Sequence, residues 1–129
     1  MTPPIVIDSD ILLEVTRGRN PSVIAQWRQL MNSEVQLLVS PISIAELWHG
    51  VQNREVDALA ALFEALTCMA TDRNTGRLAG EYLNKYRKSN GLELADAFIA
   101  AATVLYRATL WTRNQKHYPM PEVTFYEYA

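Results

Sequence analysis

The chain has 129 residues, 49% of them hydrophobic and 20% charged; this is enough apolar material for one packed domain over residues 1–129, and it excludes wholesale disorder. Lys and Arg number 12 against 14 Asp and Glu, a net charge of −2, which excludes a protein that grips nucleic acid by bulk positive charge and leaves only local patches. The single cysteine, Cys68, excludes an internal disulfide and a cysteine-rich zinc site and fits a reducing, cytoplasmic setting, while the absence of a leader-like start or of any run near ~18 uncharged apolar residues predicts neither secretion nor a membrane span.

In chain order, Ile5-Val6-Ile7 is short, β-branched and bounded by Pro4 and Asp8, which predicts a buried first strand. A helix follows Asp8-Ser9-Asp10, with Arg17 and Arg19 in the loop after it. Val23, Ile24, Trp27, Leu30 and Met31 share one helical face. Gln36–Val39 reads as a second strand, and Ile44, Leu47, Trp48 and Val51 line a helix opened by Ser40-Pro41. Val56, Leu59, Ala60 and Phe63 line another helix, and Thr67–Ala70 is a weaker third strand. A long polar helix is expected from about Asp72 to Lys88, stopped by Ser89-Asn90-Gly91. The next helix starts near Leu94 and is apolar nearly all round, so it should be buried. Thr109–Thr112 and Val123–Tyr126 complete five strands. Strands alternating with helices predict an α/β fold with a parallel sheet covered on both faces. Sites in such sheets form beyond the C-terminal ends of the strands.

Acidic residues gather at those ends. Asp8 and Asp10 follow the first strand, Glu46 lies in the helix after the second, and Asp96 sits in the first turn of the apolar helix before the fourth. Carboxylates collected at one edge repel one another, and a divalent cation with a taste for oxygen removes that repulsion. Each acid also has a plainer reading. Asp8 or Ser9 caps the first helix, and Asp10 favours its dipole. Ser43-Ile44-Ala45-Glu46 has the form of a capping box, and Glu46 points roughly 200° away from Ile44 around the helix. Asp96 interrupts an apolar helix, where a buried carboxylate needs partners, and Ala100, Thr103 and Arg107 continue its face at helical spacing; a cap is the competing reading.

These residues resemble a family. Ile5-Val6-Ile7-Asp8-Ser9-Asp10-Ile11-Leu12-Leu13-Glu14 is similar to the opening of a PIN domain. Ser40-Pro41-Ile42-Ser43-Ile44-Ala45-Glu46-Leu47-Trp48-His49-Gly50 is similar to its second block, Asp96 to Ala102 to its third, and Leu110-Trp111-Thr112-Arg113-Asn114 to its closing strand. The four blocks run in order from about residue 5 to residue 126 and are most similar to the small stand-alone toxins of the VapBC type. The resemblance implies a PIN-like three-layer α/β/α sandwich around a mostly parallel sheet of about five strands. It implies an Mg²⁺- or Mn²⁺-dependent endoribonuclease, homodimeric and silenced by a cognate antitoxin, with products carrying a 5′-phosphate and a 3′-hydroxyl. By position, Asp8, Glu46 and Asp96 would be catalytic. Asp8 and Asp96 would ligate the metal directly and Glu46 through water, with Ser9, Thr112 and Asn114 as a polar rim. His117 stands where many relatives carry a fourth acid, which favours one metal over two.

Arg113, Lys116 and His117 are the candidates for substrate phosphate because they adjoin the proposed site. Arg73, Arg77, Lys85, Arg87 and Lys88 read better as a solvated helix face, and Tyr82, Tyr86 and the three tryptophans as packing or dimer contacts. Transfer, ribosomal and messenger RNA all stay open as substrates. Two other classes compete: a degenerate PIN module that binds RNA or a protein partner without cutting, and a haloacid-dehalogenase-like phosphatase suggested by Asp8-Ser9-Asp10. A response-regulator receiver fits the length but lacks the middle aspartate and the late lysine.

Overall fold

The computed structural model describes residues 2–128. Five short strands form one sheet: β1 (Ile5–Ile7), β2 (Leu37–Val39), β3 (Thr67–Cys68), β4 (Thr109–Trp111) and β5 (Thr124–Phe125). The helices are α1 (Ser9–Arg17), α2 (Pro21–Met31), α3 (Pro41–His49), α4 (Val56–Glu64), α5 (Arg73–Asn90) and α6 (Leu94–Leu105), with single 3-10 turns at Asn53–Glu55 and Gln115–His117. The strand order is β3-β2-β1-β4-β5 and every pairing is parallel. The architecture is therefore the expected α/β/α sandwich.

Alternation along the strands divides the core in two. Val6, Leu38 and Leu110 face one side of the sheet, where they pack with Tyr82 of α5 and with Ala97, Ala100 and Ala101 of α6. Ile5, Ile7, Leu37, Val39 and Trp111 face the other, against Ile11 and Leu12 of α1, Val23 and Leu30 of α2, Leu47 of α3 and Leu59 of α4. A strand buried on both faces has no polar side to show, which is why β1, β2 and most of β4 are unbroken apolar runs. The alanines of α6 let it lie close to both the sheet and α5.

The strand order reverses between β1 and β4. They pair through Ile5 with Thr109, Val6 with Leu110 and Ile7 with Trp111, so their C-terminal ends emerge side by side. This is the crevice in which open parallel sheets hold their ligands.

Local expectations were met unevenly. Gly91 ends α5 in the left-handed region at φ 66°, as its place after Ser89-Asn90 predicts, although the helix continues through Asn90. The third strand spans only Thr67–Cys68. The capping-box reading of Ser43 is overturned, because Ser40 caps α3 by accepting from the Ile42 N–H and Pro41 is the first helical residue. Ser43 is instead buried inside the helix. Arg107 does not extend the Asp96 face, because α6 stops at Leu105 and Arg107 turns the chain at φ 53°. The buried expectation for α6 holds for its middle only: Leu94 is 57% exposed and Leu105 46%. Trp111, on β4, lies in the core that α1 to α4 cover and Trp27 packs against that core, but Trp48 is 38% exposed beside Phe63.

Candidate active site

Asp8 leaves the end of β1 and caps α1, since its Oδ1 accepts from the Ser9 N–H at 2.8 Å. The other oxygen, Oδ2, accepts from the Tyr118 hydroxyl at 2.8 Å inside the protein. Only 8% of Asp8 remains exposed, so both oxygens are fixed in direction. The cap reading and a functional one are compatible here, because the capping residue stands at the β1–β4 seam, its N–H donating to the Trp111 carbonyl at 3.0 Å.

Asp10, in the first turn of α1, is tied to the end of β4. Its Oδ2 accepts from the Arg113 N–H at 2.9 Å, the Asn114 Nδ2 at 3.0 Å and, more weakly, the Thr112 hydroxyl at 3.4 Å. The Thr112 Oγ1 in turn accepts from the Asn114 N–H at 3.0 Å. The Asp10 Oδ1 is buried and has no protein partner. Burial, reinforced by repulsion from Asp8, pushes the Asp10 pKa up to about 6.

Asp96 lies in the first turn of α6 and is half-buried. Burial raises its pKa, a hydrogen bond from the Glu93 backbone and the charge of His117 draw it down, and the negative charge of Asp8 pushes it up again. Asp8, Asp96 and His117 thus share one electrostatic neighbourhood. Tyr118 feels the same field, its hydroxyl held well above its ordinary range by burial and by Asp8.

Glu46 is exposed on α3 and accepts a hydrogen bond from the Ser9 hydroxyl at 2.7 Å. It therefore reaches the β1 end of the crevice through the residue next to Asp8. Among the described residues, no three of the Asp, Glu, His and Cys side chains stand close enough together to form a ready-made ligand shell. Ser9 bridges Glu46 to the Asp8 turn, and Thr112 and Asn114 sit on the rim through Asp10.

The three phosphate candidates differ. Arg113 is half exposed, and its guanidinium pairs with Glu14 at 3.2 Å, while Arg19 lies 3.7 Å from the same carboxylate. Lys116 and His117 are exposed on the 3-10 turn after β4. Two members of the site escaped the sequence reading. Asp10 looked like an ordinary first-turn acid, and Tyr118 carried no local signal beyond standing next to His117.

The set offers oxygen donors only, one of them a buried carboxylate oxygen without a partner, and its acids crowd one another. That chemistry fits a hard divalent cation such as Mg²⁺ or Mn²⁺. The unpartnered oxygen is that of Asp10, while both Asp8 oxygens accept from protein donors; Asp8 and Asp96 are the ligands that the family resemblance implies.

Comparison with known proteins agrees in fold and sequence. A family model described as the PIN domain matches residues 5–123. A curated relative from Mycobacterium tuberculosis, Ribonuclease VapC19, is 31% identical over 116 residues, covering 89% of this chain and 92% of the relative. Ribonuclease VapC10 from the same organism is 31% identical over 121 residues, covering 92% and 88%. Among solved structures, DNA-bound VapBC from Salmonella typhimurium superposes with a TM-score of 0.81 at 14% identity, covering 98% of both chains. VapBC2 from Rickettsia felis, bound to a DNA fragment from its promoter, gives 0.79 at 20% identity, covering 95% and 96%. At these identities the structural likeness speaks for the fold alone.

Proposed function

The chain belongs to the PIN-domain family, and from that premise we propose that it is a divalent-metal-dependent endoribonuclease, the toxin of a type II toxin–antitoxin pair. The observation that carries the reading is the acidic edge itself: Asp8 and Asp96 in one field at the sheet's switch point, in a chain 31% identical to two curated ribonucleases. The reaction is hydrolysis of an RNA phosphodiester. A water oxygen attacks phosphorus in line with the 3′ oxygen, which leaves, giving 5′-phosphate and 3′-hydroxyl ends. When bound, Mg²⁺ or Mn²⁺ supplies positive charge against the phosphoryl oxygens and makes water more acidic.

The chain's own residues supply orientation. The Tyr118 hydroxyl and the Ser9 N–H hold the Asp8 oxygens in fixed directions. Asp10 ties Thr112, Arg113 and Asn114 to α1 and so shapes the opposite wall. Glu46, braced by Ser9, acts through water at the outer edge. Lys116 and His117 offer cationic contacts to the phosphates on either side of the cut.

A groove beside the site supports the toxin reading. About 180 Å³ in volume, it is walled by Leu13, Leu47, Val51 and Leu59, with Glu46 at its edge. It has room for one or two apolar side chains, such as an amphipathic segment of the cognate antitoxin would insert. On the family resemblance we further propose that the protein is cytoplasmic and homodimeric; among the described residues no helix is long and apolar enough to cross a membrane.

Purified protein incubated with total RNA should cut it in Mg²⁺ and not in chelator, and Asp96→Asn should lower the rate by at least on the order of 100-fold. Cleavage unchanged in the variant would refute the assignment. The second reading, a PIN module that binds without cutting, draws on His117 in place of a fourth acid and on the lack of a ready-made ligand shell. Calorimetric titration with Mg²⁺ separates the two, since a dead site binds the ion feebly.

A further inference from the structure

We propose that the cleft between the α1–α2 loop and the C-terminal segment is a nucleobase subsite, in which one unpaired base next to the scissile phosphate stacks on Tyr126 and Tyr128. The cleft has a volume of about 380 Å³, enough for a purine or pyrimidine. Trp111 closes its floor, with Asn20, Gln115 and Glu127 among the polar groups of its walls.

Its relation to the acidic edge makes it a substrate site. Thr112 and Arg113 line the cleft, and the same two residues bind the Asp10 carboxylate. The cleft therefore opens on the other side of the wall that bounds the crevice. A strand with a phosphate at the crevice mouth passes Arg113, and its neighbouring base falls within reach of the aromatic rings.

The rings are already arranged for this. Tyr126 and Tyr128 stack with centroids 5.9 Å apart, and each meets the edge of Trp111 at 5.7 Å. The Tyr126 hydroxyl accepts from Gln26, and Gln115 donates weakly to Glu127 at 3.5 Å, so the segment is tied to α2 and to the turn after β4. Trp111 is buried whereas both tyrosines are only half-buried, which leaves ring surface for a ligand. A core contact alone does not require two stacked tyrosines beside an open, largely polar cleft. Base stacking on aromatic rings is sequence-tolerant, and the Glu127 carboxylate adds a preference for bases carrying an exocyclic amine, cytosine above all.

This inference rests on the ribonuclease reading for its placement, but its test does not need cleavage. Binding of an eight-nucleotide oligocytidine is measured in chelator by fluorescence anisotropy, beside the same ribose-phosphate octamer with abasic positions. The base-bearing strand should bind the intact protein on the order of 5- to 100-fold more tightly than the abasic one. Tyr128→Ala should reduce that difference several-fold and Tyr128→Phe should keep it, with thermal melts checking that both variants fold. Glu127→Gln should reduce the preference for oligocytidine over oligouridine. Equal binding of base-bearing and abasic strands, or an unaltered difference in Tyr128→Ala, overturns the subsite. Metal-dependent cutting of total RNA with no base-dependent binding would leave the nuclease standing and remove the subsite. Base-dependent binding without cutting would do the reverse.

Discussion

The Asp8 carboxylate is a buried charge whose cost is met by two donors, the Ser9 N–H and the Tyr118 hydroxyl. Tyr118 also packs edge-on to Phe125 at 6.4 Å, so its ring is held whether or not it carries a hydroxyl. Tyr118→Phe therefore isolates one hydrogen bond to a charged group. Urea denaturation should find the variant less stable by about 1–3 kcal/mol, and its rate on RNA should fall through a looser Asp8 while the fold is kept. A variant as stable as the parent would mean that water replaces the hydroxyl. Strand-then-acid is a local pattern, and it singles out Asp8 after Ile5-Val6-Ile7; Glu46 stands well inside α3, and Asp96 draws the eye only by interrupting the apolar helix α6. Asp10 and Tyr118 were not legible. Asp10 gains its role from Thr112, Arg113 and Asn114, and Tyr118 from Asp8, through contacts spanning 102 to 110 residues that no spacing rule contains.

Helix ends decide much of how the elements are set, and they explain several departures from the sequence pattern. Ser43 and Glu46 have the spacing of a cap, yet Ser40 begins α3, because Pro41 is favoured at a first helical position and Ser40 leaves β2 with an extended backbone. A pattern four residues long cannot choose between two serines when a proline two residues upstream already has. At α5 the cap is Asp72, whose carboxylate accepts from both the N–H and the hydroxyl of Thr75. Those bonds lower its pKa below 3.8. A depressed carboxylate pKa stabilises the folded state above the unfolded value, and the gain disappears as pH falls through the folded one. Asp72→Ala should accordingly melt below the parent at pH 7, and the gap should close as acid takes the pH below the ordinary carboxylate range and through the lowered folded-state value. A gap that persists in acid would mean that the side chain acts by packing rather than by its charge.

Across the whole molecule the sheet keeps two cores apart and holds the acidic edge where its order reverses. Leu110 is fully buried in the core that α5 and α6 cover, on the strand that delivers Thr112 to the site. Leu110→Ala should cost about 2–5 kcal/mol in chemical unfolding. A loss far below that range would mean that the alanine-rich α6 collapses into the cavity. The α/β class and the parallel sheet were readable because strands buried on both faces are apolar runs and crossovers between parallel strands are usually helices, as between β1, β2, β3 and β4; the β4–β5 crossover, with only a 3-10 turn, is the exception. Strand lengths were less so, since β3 and β5 pair over two residues each and their flanks look equally extended in sequence.

The β1–β4 seam also dictates when this protein comes into being as an active object. Asp8 and Asp10 leave the ribosome early, while Thr112, Arg113, Asn114 and Tyr118 emerge near the end of synthesis, and the loop joining the two sets must close before the edge exists. A nascent chain still attached to its messenger thus carries acids but no assembled blade. Assembly of the acidic edge is confined to the last stage of synthesis, once β4 and Tyr118 have emerged.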